Sequence, residues 1–384
     1  GQVAALRARL PQESFLFFLH PSVAMEQELL MKQACTGRTL ACSLGEKGCF
    51  VDKISMLAAT FSEKDVRLVV EQGFRALHAD AIGKIEETIR VALDNLQQDR
   101  NRGLIRLRCS LQNLPSIIRN AGLGLCKVPP GVSAIVCGAG PSLMTQFELL
   151  KNAAGHAIII ATGHATPQLL RAGVQPHVVV EVDAHAGRNW PAEAQPSCLL
   201  AACTEVAPEV ARRFESVAWC VGSSPVFNMA MRDWGVPLRE LQLGRSVMAP
   251  AIDLAAQLGC SRIALAGQDL SLGGQGLTHV DGESLEGDDE VIMIPGQDQP
   301  QVPSTRVFIA LRDALQTYLK RLREGLGAHT PVLLNCTAGG ARIEGLEAAR
   351  LEDFCRDLPP LPAGLQLMAR AAAPSSAAVP LDAL

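Results

Sequence analysis

Two carboxylates and a histidine occupy places where an α/β chain concentrates its chemistry. Asp183 follows the apolar run Val178-Val179-Val180-Glu181-Val182. Asp269 lies in Gly267-Gln268-Asp269-Leu270, directly after the run Ile263 to Ala266, and His279 lies in Leu277-Thr278-His279-Val280-Asp281. A carboxylate at a strand tip can hold a divalent cation, contact a ribose or take a proton. Asp183-Ala184-His185 also has the Asp-x-His spacing that some nucleotide-sugar transferases use toward the metal on a diphosphate. His279 can move a proton near neutral pH if closure of its loop brings it to the reacting group. The plain alternatives are turn and cap residues for the acids and a solvated loop position for the histidine.

The sharpest local signal is Cys137-Gly138-Ala139-Gly140-Pro141-Ser142-Leu143, set between strand-like Ala134 to Cys137 and helix-like Met144 to Asn152. Gly138 and Gly140 permit a tight turn and close approach of a ligand, while Ser142 near the helix start leaves amide donors pointing toward an anion. The third glycine of a GxGxxG fingerprint would fall on Leu143, so a dinucleotide cradle of that kind is poorly supported. A helix N-terminus stabilises an anion by only about 0.3 to 1 kcal/mol, so further contacts are required. Gly244-Arg245-Ser246-Val247 offers some: Ser246 can cap a helix running to Leu258, and Arg245 supplies a positive fork. Asn335-Cys336-Thr337-Ala338-Gly339-Gly340, after the apolar Pro331 to Leu334, has the density of amides and glycines of a binding wall. An ordinary strand-to-helix turn and a capped helix with a solvated arginine are the bland counterparts.

The elements that must position these residues follow from the pattern. Short runs of Val, Ile, Leu and Ala at 134–137, 157–161, 178–182, 199–203, 217–221 and 263–266 alternate with helical text, which predicts a mainly parallel, Rossmann-like sheet with helices on both faces. Such a sheet binds its ligand beyond the carboxyl ends of the strands. Four regions are expected: a partial N-terminal α/β unit (1–63), a helical segment (64–125), the Rossmann-like nucleotide-binding catalytic domain (126–358) and a disordered tail (359–384). The stretch Ser271 to Pro303 reads as a long lid or binding loop. The chain opens on Gly1 rather than Met, so an upstream element is expected.

Composition narrows the function. With 384 residues, 48% hydrophobic, 19% charged and a net charge of −4, the chain is of the globular class. It has neither the basic field nor, with 11 Phe, 3 Trp and 1 Tyr, the stacking platforms of a nucleic-acid binder. Apolar runs stop after about six residues, far short of a membrane span, and no leader-like segment opens the chain, so a cytoplasmic protein is expected. The 12 Cys are scattered without a CxxC and suit small buried hydrophobes; Cys35, Cys42 and Cys49 recur every seven residues without a histidine at metal spacing.

In their order, Asn113-Leu114-Pro115, Gly138 to Leu143, Ala172-Gly173-Val174-Gln175-Pro176 leading to Asp183, Gly244 to Val247, Gly267 to Leu270 and Asn335 to Gly345 resemble the MptE-like or motility accessory factor proteins. The resemblance covers roughly residues 105 to 355. It implies a Rossmann-like core with one of two activities. The first is a glycosyltransferase that moves a nonulosonic acid from a CMP-sugar to flagellin Ser/Thr. The second is a Mg²⁺-dependent diphosphokinase that transfers diphosphate from ATP to 6-hydroxymethyl-dihydropterin. A non-catalytic flagellin-binding module is a third reading. Gly138, Gly140, Pro141, Ser142 and Leu143 are then expected at the nucleotide, with Arg245, Ser246, Gln268, Asn335 and Thr337 around it. Asp183, Asp269 and His279 are expected at the reaction centre, and Asp183 and Asp269 would hold Mg²⁺ in the diphosphokinase reading. Three departures stand out: His177 where Asp is common, Ala338 where Glu is usual, and Arg245 where Gly is common. His177 and Arg245 are expected to make the local field more positive.

Overall fold

The computed structural model describes residues 8–9, 16–20, 39–43, 102–120, 123–185, 190, 197–242, 246–284 and 290–370. The chain divides into two compact units, Gly1–Leu104 and Ile105–Leu384. In the first, the described residues form two parallel strands, β1 (Leu16–His20) and β2 (Thr39–Ser43), with Leu16 opposite Thr39. Residues 21–38 and 44–101, among them Cys35, Cys49 and the first part of the helical segment expected over 64–125, lie outside the described residues.

The second unit begins within a helix, α1 (residues 102–119). Along the chain follow β3 (Leu123–Leu125), β4 (Ser133–Cys137), α2 (Phe147–Ala153), β5 (Ile158–Thr162), α3 (Thr166–Arg171), β6 (Val178–Glu181), β7 (Leu199–Cys203), α4 (Pro208–Ala211), β8 (Val217–Cys220), α5 (Pro225–Asp233), α6 (Met248–Leu258) and β9 (Arg262–Ala266). After these come the hairpin β10 (Ile292–Pro295) and β11 (Gln301–Ser304), then α7 (Arg306–Leu326), β12 (Val332–Asn335), β13 (Glu347–Ala348), α8 (Leu351–Arg356) and β14 (Met368–Arg370). Eight strands make one sheet in the order β13-β12-β9-β4-β5-β6-β7-β8, every neighbouring pair parallel. The six apolar runs read from the sequence are β4 to β9.

Strand residues alternate between faces, and the two faces are buried under different helices. Ala134 and Val136 pack with Met248 and Ile252 of α6 and with Leu315 and Leu319 of α7. Ile135 and Cys137 pack with Leu150 of α2, Leu169 of α3 and Phe354 of α8. Burial on both sides explains why these strands read as unbroken apolar runs rather than alternating ones. A third cluster joins Leu114 and Ile117 of α1 to Leu200 and Trp219 near the β8 edge. There Asn113 donates Nδ2–H to the carbonyls of Thr204 (3.0 Å) and Val206 (2.8 Å), which ties α1 to the turn after β7. Burial pushes the Cys137 thiol up to about 12, as an inert core position requires.

Two expectations need correction. Residues 271–303 are not a structureless lid: the described part contains a 3₁₀ turn, Gly274–Gly276, and the β10–β11 hairpin, and Leu272 N–H donates to Pro303 O (2.7 Å). The loose tail expected from residue 359 is ordered as far as Arg370, because β14 pairs antiparallel with β3 and Leu361 and Leu365 pack on the core. Two four-residue hairpin strands that each contain a proline, and a three-residue strand, carry too weak a period to be seen in the sequence. Among the described residues no helix is long and apolar enough to cross a membrane.

Ile159 is fully buried on the α2/α8 face. Ile159→Ala is expected to cost about 2–5 kcal/mol, read from urea unfolding of the full chain; a loss under ~1 kcal/mol would mean that this face is not closely packed.

Candidate active site

Because all eight strands run the same way, their carboxyl ends share one edge. From β4 the chain adds β5, β6, β7 and β8 on one side, then places β9 on the other, so the strand order reverses between β4 and β9. Open parallel sheets bind ligands at such a reversal.

The turn after β4 and the tip of β9 are locked together there. Gly138 N–H donates to Ala266 O (2.8 Å) and Gly140 N–H to Gly267 O (2.7 Å). Asp269 takes the backbone N–H of Ser142 on Oδ2 (2.8 Å) and the Ser142 hydroxyl on Oδ1 (2.5 Å). A Cβ at residue 140 would stand 2.4 Å from Asp269 Oδ1, so only glycine allows the carboxylate this close. Gly340 meets Asp269 from the other side: its φ is +85°, and a Cβ there would lie 2.6 Å from the Asp269 carbonyl. That carbonyl accepts Ala341 N–H (2.7 Å), and Thr337 Oγ1 accepts Gln268 N–H (3.1 Å). Leu270 follows at φ +49°, a left-handed conformation held by its surroundings, with its carbonyl accepting the Ser304 hydroxyl (2.9 Å). Burial raises the Asp269 carboxyl above its ordinary range, and the two Ser142 hydrogen bonds pull it back.

Further along the edge, each tip carries an acid. Glu181 is buried at the end of β6, where its Oε1 accepts the backbone N–H groups of Val182 (2.9 Å) and Asp183 (3.0 Å). Its other oxygen lies against Gly163, 1.6 Å from where a Cβ would stand. Desolvation carries the Glu181 carboxyl up to about 7. Asp183 beside it is 63% exposed in its side chain, and its Oδ1 accepts His185 N–H (2.9 Å). Glu205, buried after β7, accepts both the N–H (2.8 Å) and the hydroxyl (2.9 Å) of Ser223, and Arg106 Nε approaches it at 3.7 Å.

His279 belongs to a cluster. Its ring stacks on that of His164, the residue two past β5, with centroids 4.4 Å apart and planes inclined by 13°. His164 Nε2 lies 2.9 Å from Asp281 Oδ2, and His279 Nδ1 lies 3.2 Å from Glu283 Oε2. Val280 N–H donates to Ala139 O (2.8 Å), so this loop rests on the turn after β4. Burial, then the neighbouring His164, hold the His279 imidazole below its ordinary pKa.

The amides expected to face an anion therefore have partners within the chain: Gly140 and Ser142 donate to the β9 tip, and Leu143 N–H to Gly140 O (3.1 Å). Ser142 remains half-buried, whereas Pro141 and Leu143 are core residues. Asn335 and Thr337 are also buried, Asn335 Oδ1 accepting Thr337 N–H (3.2 Å), and so form the base of the wall, with Ala338 exposed above them. Gln268 is buried, and Ser246 Oγ accepts Met248 N–H (3.3 Å) at the start of α6. Gly244 and Arg245 lie outside the described residues. Among the described residues, the three potential metal ligands that lie within reach of one another are those of His164, His279 and Glu283. His177 adds no positive field at this edge: it precedes β6, its Nδ1 accepts Ile159 N–H (3.0 Å), and burial lowers its pKa. His164, Glu181 and Glu205 were not singled out from the sequence; an acid closing an otherwise apolar run was the available signal for Glu181.

Residues 108–275 match the family model described as 6-hydroxymethylpterin diphosphokinase MptE-like. The match covers less than half of the chain. The matched stretch contains the turn after β4, Asp183, α6 and Asp269, while His279 and the wall at 335–340 lie beyond it. The chain is similar in fold to the structure of MAf glycosyltransferase from Magnetospirillum magneticum AMB-1, at 18% identity and a TM-score of 0.56, over 90% of this chain and 54% of that one. The chain thus spans about half the length of that protein. No curated protein matches.

The buried acid at the end of β6 gives a pH test. A folded-state value of about 7 against an ordinary 4.5 means that the fold holds the extra proton between those limits. The Glu181 contribution is therefore full below about pH 4.5 and lost as pH rises toward about 7, by up to roughly 3 kcal/mol. Urea midpoints measured at about pH 5 and about pH 8 should lose this part of their difference in Glu181→Gln; an unchanged difference would show that Glu181 ionises normally.

Proposed function

We propose that the chain is a glycosyltransferase that moves a nonulosonic acid from a CMP-activated donor to the hydroxyl of a flagellin Ser or Thr. The observation that carries this reading is the coincidence of the strand-order reversal with the turn 138–142 and the tip 267–270. The likeness in fold to a glycosyltransferase supports it. In this reading the donor phosphate lies beside the turn 138–142, with Arg245, Ser246 and Gln268 as its contacts. Asp269 is a positioning residue that holds the turn. Asp183, the exposed carboxylate on this edge, takes the acceptor proton as the acceptor oxygen bonds to the anomeric carbon and CMP leaves with the electron pair of the broken bond. The departing group carries a single phosphate, so the step does not require a metal.

The description of the family model favours a second reading, in which the same edge binds ATP with Mg²⁺ and transfers diphosphate to a pterin. Titration calorimetry with CMP and with ATP plus Mg²⁺ separates the two: heat with CMP alone is expected, and tight ATP binding together with pterin-dependent AMP release would overturn the first reading. Asp183→Asn should lower transfer by ~10²-fold or more, as removal of a general base does, with the melting temperature unchanged. Transfer within a few-fold of wild type would remove Asp183 from the mechanism.

A further inference from the structure

We propose that His164, His279 and Glu283 form a binding site for a divalent transition-metal ion of the zinc class, with Asp281 orienting His164. Each of the three side chains offers a ligand atom, and these atoms all lie within 4.8 Å of one another. Two imidazoles and a carboxylate are a donor set suited to zinc-class ions rather than to magnesium or calcium, which favour oxygen alone.

The hydrogen bonds around the cluster prepare both rings. An ionised carboxylate only accepts, so His164 Nε2 carries the proton it shares with Asp281 at 2.9 Å and Nδ1 is left as the lone pair. A carboxylate fixing the tautomer of a histidine in this way is the usual outer partner of a metal-bound imidazole. On the other ring, His279 Nδ1 and Glu283 Oε2 stand 3.2 Å apart. Two ligands bound at about 2.0–2.1 Å in tetrahedral geometry stand roughly 3.3 Å apart, so an ion can replace the proton between them with little movement.

The position gives the ion a task. His164 belongs to the tip of β5, and His279, Asp281 and Glu283 to the loop after β9, which also grips the turn after β4 through Val280. The ion would clamp that loop onto the two adjacent tips and set a positive charge beside the strand-order reversal. This role is independent of which nucleotide the edge binds.

The test uses the full chain, stripped with chelator and dialysed, titrated with Zn²⁺ against a chromophoric competitor and, separately, with Co²⁺ followed by its visible absorption. One tight equivalent per chain is expected, with tetrahedral-type Co²⁺ absorption that disappears in His164→Gln/His279→Gln. Affinity should fall ~100-fold or more in that double variant and ~10-fold or more in Glu283→Gln, whose half-exposed side chain can be changed without disturbing the core. Circular dichroism identifies any variant that fails to fold, and Glu283→Gln then carries the comparison. Absence of a tight equivalent, or equal affinity in the folded variants, overturns the site and assigns any bound ion to the cysteines or other groups.

Discussion

A carboxylate brought in by β9 closes the turn that follows β4, and the arrangement of the candidate site depends on that contact. Asp269 satisfies the Ser142 amide and hydroxyl that a bound anion would otherwise take, and Gly140 and Gly340 exist as glycines so that it can come that close. Charge-assisted hydrogen bonds in a buried setting are among the stronger polar contacts, and removing one partner leaves the other unpaired. The contact sits where the strand order reverses, so it shapes the place where an open parallel sheet receives its ligand.

The same device recurs along the edge. Glu181 lies against Gly163, and Glu205 caps Ser223 beside Gly222, so three tips each carry a buried acid that satisfies backbone donors and faces a residue lacking a side chain. Buried carboxylates are costly unless they are hydrogen-bonded in this way. The rigid rim they make leaves two kinds of group outside it: the exposed carboxylate of Asp183 and the paired imidazoles of His164 and His279.

Much of this was legible in the residues. Six apolar runs became six strands within about a residue at each end, because burial on both faces suppresses alternation and leaves a strong signal. The glycine-rich turn and the Asp269 tip were visible as places of close approach. Their partnership was not, since the two lie 127 residues apart and a sequence does not show whether an amide faces a ligand or a neighbouring carboxylate. Nor was the role of His164, which only the stacking of two distant turns discloses. Asn113 is a case where a motif proved structural: its amide holds the turn after β7.

Amide hydrogen exchange of the full chain tests the central contact most directly. If Asp269 holds the turn, the Ser142 and Gly140 amides of the wild type exchange only with global opening, and in Asp269→Ala the Ser142 amide exchanges orders of magnitude faster while the strand amides of β5 and β6 stay slow. A Ser142 amide that exchanges as fast in the wild type as in the variant would contradict the account.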